Sequence, residues 1–121
     1  MINLEQLNEI HPIYAYPKGD TVSFDAIKRE LEKIAKKFQV PMAFDYDVIN
    51  SGNLLSPVIE DCLVLYHPEY KNDYRRVVFR ISREGDTAFI GKYYFGEGRA
   101  HCENEKNYYK ALLAIFEFVK C

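Results

Sequence analysis

The most reactive side chains of this sequence stand next to one another at His101, Cys102 and Glu103. Neighbouring residues of an extended segment point in different directions, so a catalytic nucleophile would need a base from elsewhere in the fold. Cys62, His67, His101 and Cys102 offer four zinc ligands, but the closely spaced Cys and His pairs of a structural zinc site are missing. We therefore expect no catalytic residue, no metal and no cofactor.

Two glycines precede this cluster, in the segment GEGR at positions 96–99. Backbone amides at a helix N-terminus bind anions, so Gly96, Gly98, Arg99 and His101 form a weak candidate anion site. The segment lacks the third glycine of a dinucleotide fingerprint and the lysine of a P-loop, and two glycines also serve simply to turn the chain. A small enzyme or anion-binding site around Arg99, His101 and Cys102 is therefore the third interpretation.

A carboxylate pair and a basic stretch are the remaining candidates. Asp45 and Asp47 lie two apart on one predicted strand, which suits acid–base or metal chemistry, although acidic residues on a wet strand face are more often paired with cations. Further along, arginines alternate with aromatic residues, a pattern that can follow a phosphate backbone while the rings stack on bases. The stretch contains Lys71, Tyr74, Arg75, Arg76, Phe79, Arg80 and Arg83.

The overall charge argues against nucleic acid as the ligand. The formal net charge of the chain is −2, whereas a nucleic-acid-binding domain is normally basic. We expect these arginines to pair with the acidic side chains of Asp45, Asp47, Glu60 and Asp61. Nucleic-acid binding along the third strand is the second, less favoured interpretation.

One small α+β domain over residues 1–121 must position these groups, because the length and the 48% hydrophobic content suit a single globular unit. Apolar residues at helical spacing predict helices at about 23–38 and 104–120. Alternating residues predict strands at 42–50, 59–67, 74–82 and 86–95. Residues 1–22 are predicted to form a short helix and an extended arm. We expect a four-stranded antiparallel meander sheet with an N-terminal and a C-terminal helix packed on one face.

The predicted loop Arg83-Glu84-Gly85 sets the register of the last two strands. It places Val78 opposite Ile90 and leaves Phe79 and Phe89 on the face that the helices cover. The other face then has an apolar centre ringed by Tyr, Arg and Lys, although a one-residue slip would exchange the two faces. We predict that a partner binds this face, through Leu63, Leu65, Tyr74, Arg76, Val78, Arg80, Ile90, Lys92 and Tyr94.

That predicted face carries the functional hypothesis. A contiguous apolar patch on a small monomer is usually covered by something, and Tyr and Arg are enriched at the centres of protein interfaces. We predict a non-enzymatic protein-interaction domain. It either self-associates as a homodimer or binds a partner protein in an inhibitory or accessory role, such as inhibition of a nucleic-acid-processing enzyme. The alternative is that residues 1–20 fold over this face.

The sequence also predicts a compartment. Three widely spaced cysteines without a CxxC pair argue against a disulfide framework. The N-terminus is acidic and lacks the apolar run of a signal peptide. No stretch reaches the ~18 apolar residues of a membrane span. We expect a cytoplasmic protein that does not contact membranes.

Overall fold

The computed structural model describes residues 1–53, 55–96 and 103–117. In this part of the chain, two α-helices accompany a mixed, curled sheet of six strands, so the predicted α+β class is confirmed. The strands are β1 (Ile2–Asn3), β2 (Leu7–Tyr16), β3 (Ala43–Asn50), β4 (Ile59–Tyr66), β5 (Arg76–Glu84) and β6 (Thr87–Phe95), and the helices are α1 (Phe24–Phe38) and α2 (Glu103–Phe116). Neither described helix is long and apolar enough to cross a bilayer.

Helix α1 forms where the sequence predicts it, because both of its ends are capped. The Ser23 hydroxyl accepts a hydrogen bond from the Ala26 N–H at 3.1 Å, and Gln39 ends the helix in a left-handed conformation with φ of 57°. Both helices contribute to one apolar core on the same side of the sheet, which we call the helix face. Its buried helical residues include Ile27, Leu31, Tyr108, Tyr109, Leu112, Ile115 and Phe116. Residues 118–120 of the predicted second helix lie outside the described residues.

The sheet differs from the predicted four-stranded antiparallel meander. Its strand order is β1-β3-β4-β5-β6-β2. The four predicted strands are its centre, and each is antiparallel to the next. Two further strands come from residues 1–22: β2 pairs antiparallel with β6, and β1 pairs parallel with β3.

The short helix predicted within residues 1–22 is wrong: the only helical structure of this segment is a pair of 3-10 turns, at Leu4–Gln6 and Gly19–Thr21. The apolar residues of this segment do not share one face. Ile10 is buried in the core of the helix face, whereas Ile2 and Leu4 pack on the opposite side of the sheet. Pairing with the two sheet edges satisfies the backbone of this segment, which outweighs its weak helical pattern.

The connection between β1 and β2 forces the sheet to curl. These strands occupy opposite ends of the strand order, yet only Leu4–Gln6 separates them. In a flat sheet they would lie about 24 Å apart, at about 4.8 Å per strand spacing. An extended chain advances only about 13 Å from Asn3 to Leu7, at about 3.3 Å per residue. The segment Ile2–Leu7 therefore crosses the side opposite the helices, which we call the concave face.

The register of the β5–β6 hairpin also differs from the prediction. Glu84 pairs with Thr87 and Val78 pairs with Tyr93, so the turn is the two-residue Gly85-Asp86 and not Arg83–Gly85. Gly85 has a φ of +58°, and a glycine at the first central position of a two-residue turn matches the right-handed twist of the strands. The pairing shifts by three residues, an odd number, so every side chain of β6 changes face.

Candidate functional site

The predicted partner-binding residues are divided between the two faces of the sheet. The changed register brings Ile90, Lys92 and Tyr94 to the helix face, where Leu63, Leu65 and Tyr74 also lie. Arg76, Val78 and Arg80 lie on the concave face, where Val78 is fully buried beneath the N-terminal segment. The prediction of one shared surface is therefore wrong. Of the concave residues in that set, only the two arginines remain partly exposed.

The open end of the concave face holds a cavity of about 200 Å³. Its walls come from three neighbouring strands at the centre of the sheet and from β2 at its edge. The lining combines apolar and polar side chains. The lining residues are Ile13, Glu60, Arg80, Ile81, Ser82, Phe89, Gly91 and Tyr93. Wider concavities lie elsewhere on the molecule: beside residues 50–53, on the surface of α1, and between the start of α1 and the strands β3 and β4.

A glycine makes room for the central aromatic ring of this cavity. Gly91 is the cross-strand neighbour of Arg80. A Cβ atom at Gly91 would lie 3.0 Å from the ring of Tyr93, so the missing side chain lets that ring lie along β6. The Tyr93 hydroxyl is then 3.5 Å from Arg80 Nη1, and the guanidinium carbon lies 5.5 Å from the ring centroid. The ring and the guanidinium together form the polar wall.

A carboxylate on the next strand completes that wall. Arg80 Nε lies 2.5 Å from Glu60 Oε1, and the two side chains are 25% and 34% exposed. Burial tends to lower the pKa of Arg80, but the hydrogen bond and the charge of Glu60, with a smaller effect of Tyr93, raise it above its usual value. Arg80 is therefore a fixed cation that is neutralised within the molecule and held from two sides.

Other basic residues of the third strand and its flanks also have internal contacts. Lys71 lies 2.8 Å from Asp45, and this hydrogen bond raises the pKa of Lys71. Arg83 donates hydrogen bonds to two backbone carbonyls, at Gly19 and Val22. Of the predicted pairings of arginines with acidic side chains, that of Arg80 with Glu60 is confirmed, whereas Asp45 pairs with Lys71 and Asp47 with the Met1 ammonium.

Two more arginines lie against aromatic rings. The guanidinium carbon of Arg75 lies 4.6 Å from the centroid of Tyr94 and 5.0 Å from that of Tyr109. Arg76 lies over Phe95 at 4.5 Å. These contacts use the ring faces that a base would need for stacking.

The described cysteine and the histidine beside the sheet are structural in character. Cys62 is fully buried, and burial raises the pKa of its thiol to about 12, which disfavours the reactive thiolate. His67 packs against Tyr70, Tyr74 and Tyr108, and its Nδ1 accepts a hydrogen bond from the Glu69 N–H at 3.1 Å. Among the described residues, no three His, Cys, Asp or Glu side chains lie close enough together to bind a metal.

The weak anion site predicted at the end of β6 falls mostly outside the described residues. Gly98, Arg99, His101 and Cys102 belong to that part, and their grouping stays a prediction. Gly96 is described; it follows β6 with a positive φ of +89°. This conformation suits a chain reversal, the simpler of its two predicted roles.

Apart from Arg80, the residues that line the cavity were missed from the sequence for one main reason. Phe89, Gly91 and Tyr93 were assigned to the wrong face with the rest of β6. The Gly85-Asp86 pair was the signal that could have corrected this, because Gly-X is a favoured two-residue hairpin turn. Ile13 and Glu60 carry no local signal, since their roles depend on strands far away in the sequence. In comparisons with known proteins, no family model, curated protein sequence or solved structure matches this chain.

Proposed function

We propose that this chain is a non-enzymatic protein-binding domain whose partner anchors one aromatic side chain in the concave-face cavity. The observation that carries the proposal is the combination of Arg80 and Tyr93 at a preformed opening. Arg and Tyr are enriched among residues that dominate binding energy, and such residues cluster around well-packed pockets. Ile13 stands at the rim with 47% of its surface exposed, which adds an apolar contact outside the cavity.

The size of the cavity favours a side chain over a small molecule. Pockets for drug-sized ligands measure roughly 300–1,000 Å³, and this one is about 200 Å³. Its apolar lining includes Ile13 and Phe89, and its polar lining includes Glu60 and Arg80. A tyrosine of the partner fits both, because it has an apolar body and a hydroxyl that can reach the ion pair.

The ion pair prepares this surface for binding. Glu60 and Tyr93 already hold Arg80, so little side-chain entropy remains to be lost when a partner arrives. The internal neutralisation of Arg80 also makes the opening a poor site for a phosphate backbone, whose binding depends on uncompensated cations. Nucleic-acid binding is therefore not the function we favour.

A foreign protein suits the cavity better than a second copy of this chain. The exposed aromatic residues Phe38, Tyr46 and Tyr70 lie outside the cavity lining. A copy that inserted one of them would form a two-fold dimer only if the insertion were reciprocal, with an aromatic residue of each copy in the cavity of the other. A one-sided contact would produce open chains of molecules.

Site-specific photo-crosslinking tests the proposal. A photoreactive amino acid at Ile13 is expected to crosslink one protein in the native host. The same amino acid at the exposed Lys33 of α1 should not crosslink that protein. The affinity of the purified partner is then measured for the wild type and for Ser82→Trp, which fills the cavity from an exposed position. Lys33→Trp is the matched control.

We expect Ser82→Trp to weaken binding by about thirtyfold, equivalent to loss of one anchor of about 2 kcal/mol. Lys33→Trp should leave the affinity unchanged. Equal affinities for the wild type and Ser82→Trp would refute the anchoring role of the cavity. A dimer in light scattering that Ser82→Trp dissociates would replace the foreign partner with a second copy.

A further inference from the structure

The strand β3 has a free edge. It contains eight residues, of which only Ile49 and Asn50 pair with β1, so six residues from Ala43 to Val48 have β4 on one side and no strand among the described residues on the other. Unpaired N–H and C=O groups on an edge strand are a template for another strand. β1 already uses the last part of this edge, which shows that it accepts an added strand.

The direction of the backbone groups can be assigned along this edge. The Ser51 N–H bonds to the Val58 carbonyl across the β3–β4 hairpin, so the N–H groups of odd-numbered residues point toward β4. Those of alternate residues point the other way. The Val48 N–H is accordingly satisfied by the side chain of Asp47 at 2.7 Å, and not by a strand. The N–H groups of Phe44 and Tyr46 face outward in the same way.

The opposite edge of the sheet is less suitable for an added strand. It is formed by β2, which contains Pro12 and has a register shift between Ile10 and Tyr14. Proline lacks an N–H donor, and a bulge breaks the line of backbone groups, so both features discourage pairing. β3 has neither feature, and its pairing with β4 is regular over all eight residues.

The acidic residues of β3 argue against a second copy as the added strand. In an antiparallel dimer that continues the sheet, the concave faces of both copies lie on the same side, so odd-numbered residues lie opposite odd-numbered residues. Only two registers of this kind pair five of the six free residues, 43–47 with 43–47 and 44–48 with 44–48. One places Asp45 opposite Asp47 of the copy, and the other places Asp45 opposite itself. Like charges directly opposite one another destabilise a strand pair. The acidic residues therefore disfavour the pairing of β3 with β3 of a second copy.

The same residues favour a basic strand. On the concave side, Asp45 and Asp47 each contact one cation of the chain, Lys71 Nζ at 2.8 Å and the Met1 ammonium at 3.6 Å. At 46% and 37% exposed they are more accessible than Arg80, which is 25% exposed, so a partner strand can still reach their carboxylates. On the other side of the strand, Phe44 and Val48 are half-buried and Tyr46 is 55% exposed. A partner strand would thus meet carboxylates on one face and apolar or aromatic groups on the other.

We propose that the free edge of β3 binds an extended segment of a protein partner that carries Lys or Arg at alternate positions and apolar residues between them. The backbone of the segment would bond to the outward N–H and C=O groups of β3, which provides affinity, and the alternating side chains would provide specificity. This site lies on a different strand from the cavity walls contributed by β5 and β6, and it does not depend on the proposed function.

The test uses an acetylated and amidated peptide of alternating Lys and Val, with an alternating Glu and Val peptide as its charge control. A third peptide carries N-methyl groups on the backbone amides of alternate residues and cannot form the ladder. Binding is followed by amide chemical shifts and hydrogen exchange in nuclear magnetic resonance, at ~50 mM and ~500 mM salt, between which surface charges become strongly screened. The basic peptide is expected to shift and protect the amides of Phe44 and Tyr46.

Protein variants separate the backbone from the charges. Tyr46→Pro removes one outward N–H and leaves the bonds to β4 intact, and Tyr46→Thr is its matched control. We expect Tyr46→Pro to bind the basic peptide about tenfold more weakly than Tyr46→Thr does, the loss of one net backbone hydrogen bond of about 1.4 kcal/mol. The comparison is between these two variants because both lose the Tyr46 ring and its hydrogen bond to Asp25. Asp45→Asn with Asp47→Asn should weaken binding by about fivefold and remove most of its salt dependence.

Several results would overturn the proposal. These are no binding of the basic peptide to the wild type, equal binding of the acidic or N-methylated peptide, or shifts located away from β3. A dimer that dissociates in Tyr46→Pro would show that the occupant is a second copy. The N-methylated peptide keeps the test decisive if Tyr46→Pro fails to fold. Ser82→Trp should bind the basic peptide normally, which separates failure at this edge from failure at the cavity.

Discussion

Replacing Lys92 with methionine should stabilise the protein at neutral pH. Lys92 is only 2% exposed, and its ammonium lies 4.4 Å from the ring centroid of Tyr14 and 5.6 Å from that of Phe116. Its hydrogen bond to the Tyr14 hydroxyl is long, at 3.4 Å. Burial lowers the pKa of Lys92, and the charge of Glu117 only partly opposes this effect. The charged form is thus held in a place that disfavours it.

The size of the effect follows from the contacts that are lost and gained. Removing the ammonium sacrifices cation–π contacts of about 1 kcal/mol and a weak hydrogen bond of about 1 kcal/mol. It also removes a desolvation cost of about 4 kcal/mol for one buried charge. Methionine has a similar length and packs well against aromatic rings. Lys92→Met should therefore raise the free energy of unfolding by about 2 kcal/mol, or Tm by about 8 °C in a chain of this size.

Urea unfolding at a series of pH values tests this reasoning. Below the folded-state pKa, Lys92 is charged in both states and its cost is fully present. As pH rises from that pKa toward the unfolded value of 10.5, the folded protein releases the proton and the cost declines. The advantage of Lys92→Met should thus be largest near pH 7 and shrink toward pH 10.5. If Lys92→Met destabilised the protein at pH 7, or stabilised it equally at every pH, the reasoning about the buried charge would be refuted. Lys33→Met, at an exposed position of α1, is the control.

Two further predictions concern buried polar groups. Burial lowers the pKa of His67 below its usual 6.5. The unfolded chain therefore takes up a proton more readily than the folded protein, and stability falls as pH drops through 6.5. In urea unfolding, His67→Gln should lack this fall in stability, and a pH profile identical to that of the wild type would contradict the prediction. The Tyr109 hydroxyl lies 2.7 Å from Glu105 Oε1 and 3.0 Å from the Arg75 carbonyl, while Glu105 Oε2 has no hydrogen-bond partner among the described residues. Tyr109→Phe should therefore cost about 2 kcal/mol in chemical denaturation, and a loss as small as that of the exposed control Tyr70→Phe would argue against this carboxylate contact.

Local patterns predicted the elements of this fold well where one repeat dominated. The spacing of Ile27, Leu31 and Ala35 identifies α1 because these residues bury one stripe of the helix. Alternation identifies the four central strands in the same way. The N-terminal strands could not be found by either repeat, since β1 contains two residues and the apolar residues of this segment serve opposite faces.

The candidate site could not be predicted because it depends on pairing between strands. The length of the β5–β6 turn decides which side chains of β6 face the helices: the predicted three-residue loop places Tyr93 there, and the observed two-residue turn places Lys92 there. Arg80 was identified from its residue type, and its pairing with an acidic neighbour was expected. The cavity itself also requires Ile13, whose strand joins the sheet only through β6.

The pairing of β2 with the distant strand β6 has a consequence for synthesis on the ribosome. β2 emerges early, but its partner β6 follows much later: Ala15 pairs with Phe89, 74 positions further on (89 − 15). The hairpins from β3 to β6 close short loops and can form as they emerge, whereas β2 must wait as a single unpaired strand. Pro12 and the bulge of β2 make it a poor template for neighbouring chains during that interval. β2 is thus synthesised before the central hairpins but joins the sheet after them, and its sequence suits the delay.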